Sequence, residues 1–233
     1  MVMPRIQVVP STKAAAVRGA QVLADLLRRA IHTRGNATFA VSGGTTPWGM
    51  FERLLADMTV DWTKVHLLQV DERILPDGDP ERNWTRIKAM FIDNGPIVES
   101  QAYPMPVTAT ELYPACGEYE KVIRSIRPNG RIDVVHLGLG DDGHTASLAP
   151  GDPVCDITEA DVATTSGPFN GFRRMTLTRG ALNRSGTIVW QVLGAAKTTA
   201  LRKLLDGDLS IPAGHLDPVD AIVVADADAW GDF

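Results

Sequence analysis

Short apolar runs alternate with segments of helical periodicity along the whole chain. The apolar runs predict buried strands at residues 6–9, 37–41, 65–70, 133–137, 188–193 and 221–225. Between the first two runs, apolar residues recur at three- and four-residue steps, and Ser11 stands where its hydroxyl can cap the resulting helix. Because strands alternate with helices, the pattern favours an α/β fold with a largely parallel central sheet covered by helices.

The rest of the sequence predicts two more strands, several helices and the connections between them. Two further runs, at residues 162–165 and 175–178, predict strands in a small antiparallel portion of the sheet. Helices are predicted over residues 83–91, over residues 118–126, from Pro47 onward and around Leu201. Pro114 and residues 149–156 belong to predicted irregular connections. No internal repeat, low-complexity tract or linker is evident, so residues 1–233 are expected to form a single domain.

Composition narrows the classes of protein that fit. The 233 residues are 44% hydrophobic and 22% charged, and a formal net charge of −5 with no basic run argues against a general nucleic-acid binder. No apolar run approaches the length of a membrane span, and the first residues lack the charged-then-apolar order of a secretory signal. Cys116 and Cys155 have no metal-ligand spacing, and so few cysteines suit a reducing cytoplasm.

Polar segments follow three of the predicted strands, at residues 42–47, 71–73 and 138–144. Open α/β sheets bind ligands at the carboxyl ends of their strands, so we expect one shared pocket. In the first segment, the backbone N–H groups of Gly43 and Gly44 and the start of the next helix favour an anion, and Ser42 and Thr45 add hydroxyls. A tight strand-to-helix turn with Thr45 or Thr46 as a cap explains the same residues equally well.

His144 is the leading candidate for acid–base chemistry. It follows Gly143 and lies two residues after Asp142, and an imidazole beside a carboxylate is a common general acid–base arrangement. A loop histidine can instead simply bond to the backbone, but this context favours catalysis. The other histidines, which have no comparable neighbours and no metal-ligand spacing, are His32, His66, His136 and His215. Acyl-enzyme chemistry has no visible support, because Thr198, Ser147 and Ser185 lie in no nucleophile-elbow pattern.

Three cations near these segments are candidate anion ligands. Lys197 is predicted in the first turn of the helix after Gly194, where the helix dipole disfavours a cation by about 0.3–1 kcal/mol and a bound anion would reverse that sign. A solvated surface lysine is the alternative. Arg174 stands beside a predicted strand start, with a surface position as its alternative. Arg73 follows two acids, so its alternative is a weak local ion pair.

Five segments, in order along the chain, carry a resemblance to a known family. They are Ser-Gly-Gly-Thr-Thr-Pro at 42–47, Asp-Glu-Arg at 71–73 with Asn83, Gly-Leu-Gly-Asp-Asp-Gly-His-Thr-Ala-Ser-Leu-Ala-Pro-Gly at 138–151, Arg-Met-Thr-Leu-Thr at 174–178, and Gly194 with Lys197. Over about residues 5–228, the chain resembles the 6-phosphogluconolactonase family, which is related to the glucosamine-6-phosphate deaminases. The resemblance implies a Rossmann-like α/β domain that hydrolyses 6-phospho-D-glucono-1,5-lactone to 6-phospho-D-gluconate in the oxidative pentose phosphate pathway. It implies no cofactor, metal or nucleotide.

The resemblance also implies roles for particular residues. His144 would be the general base that activates water toward the lactone carbonyl, and Asp142 would orient it or favour its protonated form. The residues expected around the phosphate and the sugar hydroxyls are Ser42, Gly43, Gly44, Thr45, Asp71, Arg73, Arg174 and Lys197. The implied partner is a small phosphorylated sugar lactone, with no nucleic acid and no membrane, and the protein is expected in the cytoplasm as a monomer or small homo-oligomer.

Two other functions compete with lactone hydrolysis. Amino-sugar phosphate deaminases or isomerases resemble this chain, but they carry a glutamate where Ala149 stands and favour an aromatic residue where Arg73 stands. The lactonase family itself commonly has an aromatic residue at the position of Ala149, which leaves the packing of that loop open. A non-catalytic sugar-phosphate sensor would need a DNA-binding segment, yet only one strand and one helix precede the 42–47 segment. Ligand binding without turnover would identify such a sensor.

Overall fold

The computed structural model describes residues 3–231 and contains ten strands in this range. They are β1 (Arg5–Val9), β2 (Ala37–Val41), β3 (Val65–Gln69), β4 (Asp71–Arg73), β5 (Ala102–Tyr103), β6 (Val134–Gly138), β7 (Val162–Thr164), β8 (Arg174–Leu177), β9 (Thr187–Val192) and β10 (Ala221–Asp226). Seven form a parallel sheet in the order β1-β10-β9-β6-β2-β3-β5. The predicted α/β fold class is confirmed, and each predicted strand is found within one residue at either end.

Helices cover both faces of this sheet. They are α1 (Thr12–Arg34), α2 (Trp48–Leu55), α3 (Asn83–Lys88), α4 (Leu112–Ile126), α5 (Arg179–Arg184), α6 (Thr198–Asp206) and α7 (Ala227–Trp230). Ser11 caps α1 as predicted, since its hydroxyl accepts the N–H of Ala14 at 3.2 Å. A π-helical turn at Ala89–Asp93 extends α3, so the helix predicted over residues 83–91 is confirmed.

Two sequence predictions about connections are wrong. The helix predicted over residues 118–126 begins at Leu112, and Pro114 lies in its first turn, where a missing backbone N–H is tolerated. The segment predicted as loop, residues 149–156, contains a 3₁₀ turn at Pro153–Asp156. The carboxylate of Asp152 starts this turn by accepting the N–H of Val154 at 2.9 Å.

A second, antiparallel sheet has the order β4-β8-β7. The antiparallel pairing of β7 and β8 is confirmed, although these strands leave the central sheet. Asp71–Arg73 was predicted as a polar segment after a strand and is itself the strand β4. Val70 explains the transfer between sheets, because its N–H donates to Val41 in the central sheet (3.0 Å) and its carbonyl accepts from Leu177 in the small one (2.8 Å).

The central sheet separates two hydrophobic cores. Phe39 and Leu67 belong to the core formed with α1 and α2, whereas their neighbours Ala40 and Leu68 belong to the core formed with α4, α6 and the small sheet. Successive side chains of a strand point to opposite faces, so each face of the sheet is covered. Burial on both faces is the reason that these strands read as continuous apolar runs in the sequence.

The strand order reverses at the middle of the central sheet. From β2 the chain proceeds outward through β3 to β5, then returns to β6 on the other side of β2 and proceeds through β9 to β10. In open α/β sheets, ligands bind beyond the carboxyl ends of the strands at such a reversal. The segments at the carboxyl ends of β2 and β6, residues 42–47 and 138–144, are two of the three polar segments that the sequence singles out.

Candidate active site

A cavity of about 260 Å³ opens at this edge of the sheet. Most of the predicted site residues line it together: Ser42, Gly44, Thr45, Asp71, Arg73, His144, Arg174 and Lys197. The other lining residues are Thr46, Asn83, Gly138, Leu139, Gly140, Ala146, Gln191 and Leu193. One shared pocket was predicted from the three polar segments, and all three contribute to this cavity.

Two of the predicted site residues, Gly43 and Asp142, are not among the residues that line the cavity. A Cβ atom at Gly43 would lie 2.4 Å from the side chain of Asn83, so a glycine at this position lets the loop after β2 approach the start of α3 closely. The alternative that Thr45 or Thr46 caps α2 is wrong, because Pro47 is the N-cap residue and no side chain bonds there. The hydroxyl of Thr45 is therefore not engaged in capping α2.

His144 and Asp142 form a hydrogen-bonded pair. Nδ1 of His144 lies 2.6 Å from Oδ1 of Asp142, and the same oxygen accepts the backbone N–H of His144 at 3.0 Å. Partial burial opposes ionisation of Asp142, but the bonds from His144 outweigh it and hold the pKa of Asp142 below its usual value. The ring is thus held by a carboxylate on one side and faces the cavity.

Glycines allow this pair to form in so short a segment. A Cβ atom on Gly140 would lie 2.0 Å from Nδ1 of His144 and 2.4 Å from Oδ1 of Asp142. The N–H of Gly140 donates to the carbonyl of His144 (2.8 Å), and the N–H of Gly143 donates to the carbonyl of Gly140 (3.1 Å). Gly143 has φ +83°, a conformation that favours glycine.

Phe169 packs against the imidazole of His144. The sequence does not predict this contact. The ring of Phe169 lies edge-on to the imidazole, with centroids 4.8 Å apart, and the guanidinium of Arg174 lies 5.4 Å from the same ring. Nε of Arg174 also donates to the carbonyl of Phe169 at 3.2 Å. Phe169 belongs to the turn between β7 and β8, and no sequence signal indicates where that turn lies relative to His144.

Arg174 and Asp71 form the buried polar side of the cavity. Arg174 is only 7% exposed, so the alternative of a surface position is wrong. Its Nη1 lies 3.6 Å from Oδ2 of Asp71, which accepts the hydroxyl of Ser147 at 2.6 Å. Burial lowers the pKa of Arg174 and the nearby Asp71 opposes that change, so the guanidinium remains charged at neutral pH.

The other two cations are more accessible. Nη1 of Arg73 pairs with Glu81 at 2.6 Å, so the local ion pair considered from the sequence exists, although with a different acid, and Arg73 still lines the cavity. Lys197 ends a 3₁₀ turn at Ala195–Lys197 and immediately precedes α6, instead of lying in its first turn as predicted. Its Nζ lies 3.9 Å from Oδ1 of Asp141.

Glu72 holds this side of the cavity together. Its fully buried carboxylate accepts hydrogen bonds of 2.7–2.8 Å from the side chain of Gln69 and from the backbone N–H groups of Arg73, Asn83 and Trp84. Burial raises the pKa of Glu72, and these donors oppose that change. By joining β4 to the start of α3, Glu72 fixes both Arg73 and Asn83 at the cavity wall.

Residues 3–231 contain neither a cluster of metal ligands nor a helix that could span a membrane. No three histidine, cysteine, aspartate or glutamate side chains of this range cluster as metal ligands. Of the described helices, none combines the length and apolar character needed to cross a bilayer.

Known proteins are similar to this chain in sequence and in fold. Residues 10–225 match the family described as glucosamine-6-phosphate isomerases/6-phosphogluconolactonase. A 6-phosphogluconolactonase from Synechocystis is 32% identical over 228 residues, which cover 94% of each chain. The 6-phosphogluconolactonase structure from Thermotoga maritima has a TM-score of 0.86 at 23% identity and covers 96% of this chain and 99% of that one. A monomeric glucosamine-6-phosphate deaminase has a TM-score of 0.84 at 20% identity, covering 97% and 98%.

Fold and cavity define a Rossmann-like α/β protein with a polar cleft, lined by Arg73, Arg174 and Lys197, at the strand-order reversal. The family match extends over nearly the whole chain and includes every residue that lines this cleft. The chain belongs to the glucosamine-6-phosphate isomerase/6-phosphogluconolactonase family. The family predicted from the five sequence segments is confirmed.

Proposed function

We propose that this protein hydrolyses 6-phospho-D-glucono-1,5-lactone to 6-phospho-D-gluconate, a step of the oxidative pentose phosphate pathway. The observation that supports this proposal most directly is that His144, whose imidazole is bonded to a carboxylate, lines the same cavity as the cations Arg174 and Lys197. The similarity to 6-phosphogluconolactonases over nearly the whole chain supports this choice of substrate.

In the proposed reaction His144 acts on water. With Nδ1–H donated to Asp142, Nε2 is the unprotonated ring nitrogen and removes a proton from water as its oxygen bonds to the lactone carbonyl carbon. The tetrahedral intermediate then breaks the bond between this carbon and the ring oxygen, which receives the proton from His144. A general base contributes about 10²–10⁴-fold, and a lactone is reactive enough to need no covalent nucleophile.

The cations and the 42–45 loop are proposed to hold the phosphate and the sugar. Arg174 and Lys197 supply charge, Gly43 and Gly44 supply backbone N–H groups, and Ser42, Thr45, Asp71 and Arg73 supply further polar contacts. Binding energy from the non-reacting phosphate would hold the carbonyl carbon beside the water that His144 activates.

Two residues favour hydrolysis over amino-sugar chemistry. Ala149 is buried and offers no carboxylate at the position where the deaminase relatives carry glutamate, and Arg73 replaces their aromatic residue. The deaminase of the same fold is 20% identical to this chain, which bears on the fold alone.

The proposed activity is tested with freshly generated lactone, subtracting spontaneous opening in an enzyme-free control. We expect rapid lactone loss and no ammonia release from glucosamine 6-phosphate. Ammonia release without lactonase activity would contradict the proposal, and ligand binding without turnover of either substrate would identify a sensor.

We further propose a cytoplasmic location and a monomeric or small homo-oligomeric state. Cys116 and Cys155 are free thiols, which suits a reducing compartment. Light scattering of the purified protein tests the oligomeric state, and cell fractionation tests the location.

A further inference from the structure

β9 carries a polar side chain that its packing does not explain. Gln191, one residue before the end of the strand, is 3% exposed and lines the cavity together with His144 and Lys197. Neither its amide oxygen nor its amide nitrogen has a hydrogen-bond partner among residues 3–231. A buried amide without a partner is destabilising, whereas an apolar side chain of similar size would carry no such penalty. The amide is therefore expected to serve a ligand.

The register of the sheet places Gln191 between the segment that carries His144 and the segment that carries Lys197. Gln191 pairs with Gly138 of β6, where the segment that carries His144 begins, and Lys197 follows shortly after the end of β9. A ligand that contacts both His144 and Lys197 passes the carboxyl end of β9. Gln191 lies at that end, and its amide nitrogen is 3.9 Å from the position that a Cβ atom on Gly19 of α1 would take.

A neighbour of Gln191 on the same face of the sheet, the side chain of His136, is uncharged. His136 pairs with Val189, two residues before Gln191, so both side chains leave the same face of the sheet. His136 is fully buried and edge-on to Phe51, with ring centroids 5.0 Å apart. Burial lowers the pKa of His136 to about 3, so the imidazole is neutral and gives the amide no ionic partner.

We propose that Gln191 binds a hydroxyl group of the sugar ring and thereby selects sugar phosphates over other phosphates. A carboxamide offers both a donor and an acceptor, and a hydroxyl group likewise donates and accepts. A phosphate dianion presents acceptors only and is better met by Arg174 and Lys197. This inference rests on the proposed function, because it takes the ligand to be a phosphorylated sugar.

The test compares two ligands of the same cavity. Calorimetry measures the binding of 6-phosphogluconate and of inorganic phosphate to wild type, Gln191→Leu and Gln191→Met. We expect both substitutions to weaken 6-phosphogluconate about tenfold, as for one hydrogen bond, and to change phosphate by less than about twofold. Equal weakening of the two ligands, or no change in either, overturns the proposal.

Gln69 provides a matched control, because it is a buried glutamine at the end of β3 whose amide is engaged. Its nitrogen donates to Glu72 and its oxygen accepts the N–H of Met105, both at 2.8 Å. We expect Gln69→Leu to lower the melting temperature by about 4–8 °C and Gln191→Leu to leave it unchanged or raise it, because the leucine removes an unpartnered buried amide. A fall of equal size for Gln191→Leu would give its amide a structural role and overturn the proposal.

Failure of the proposed function is recognised separately, in the wild type. A wild type that turns over the lactone retains that function whatever the Gln191 variants do. A wild type that binds phosphate but neither hydrolyses the lactone nor binds 6-phosphogluconate would contradict both the proposed function and the inference about Gln191.

Discussion

Replacing His136 by leucine should make the protein more resistant to acid. The imidazole is fully buried and its pKa is lowered from 6.5 to about 3. Because the folded pKa lies below the unfolded one, the unfolded chain binds the proton first as pH falls, and folding stability decreases below the unfolded pKa. Between about pH 6.5 and about pH 4.5 this linkage removes about 2 kcal/mol of stability.

Urea unfolding at these two pH values measures the difference. Wild type should lose about 2 kcal/mol more than His136→Leu over this interval, since the leucine variant has no proton to bind at this site. His32, exposed on α1, is the control, and His32→Leu should retain the pH dependence of wild type. If wild type and His136→Leu lose stability equally, the reasoning that His136 is held neutral by burial is refuted.

Two further substitutions test the cavity itself. Gly140→Ala should lower kcat by at least about 100-fold, because its Cβ would displace the ring of His144, from whose Nδ1 it would lie 2.0 Å away. Gly117→Ala, where a Cβ meets nothing within 4 Å, is its control, and equal activity of the two variants would contradict the tight fit around Gly140. Lys197→Ala should raise KM about tenfold with a smaller change in kcat, as expected for loss of a phosphate contact. The exposed Lys121→Ala should leave KM unchanged, and an unchanged KM for Lys197→Ala would remove that residue from the phosphate site.

The central sheet was predictable because its strands are buried on both faces and so form continuous apolar runs. β4 could not be predicted in the same way, because its buried residues Asp71 and Glu72 are polar. Their carboxylates are stabilised in the interior by hydrogen bonds, and they add nothing to the hydrophobic pattern. The early start of α4 was missed because Pro114 indicates a break by sequence, yet the first turn of a helix accepts proline.

The position of the site was predictable for a topological reason. Carboxyl ends of parallel strands share one edge, so segments far apart in the chain could be assigned to one cavity. Phe169 could not be found this way, because its place beside His144 depends on how the small sheet packs against the central one. Gln191 had a signal, a lone amide in an apolar strand, but its place at the edge of the cavity required the register with β6.

The most direct test of the account is the lactonase rate of His144→Ala, measured beside the binding of 6-phosphogluconate. His144 is proposed to move a proton and not to anchor the ligand, so kcat should fall about 10²–10⁴-fold while the dissociation constant changes by less than about threefold. A variant that keeps more than about a tenth of the wild-type rate above spontaneous opening would contradict the account.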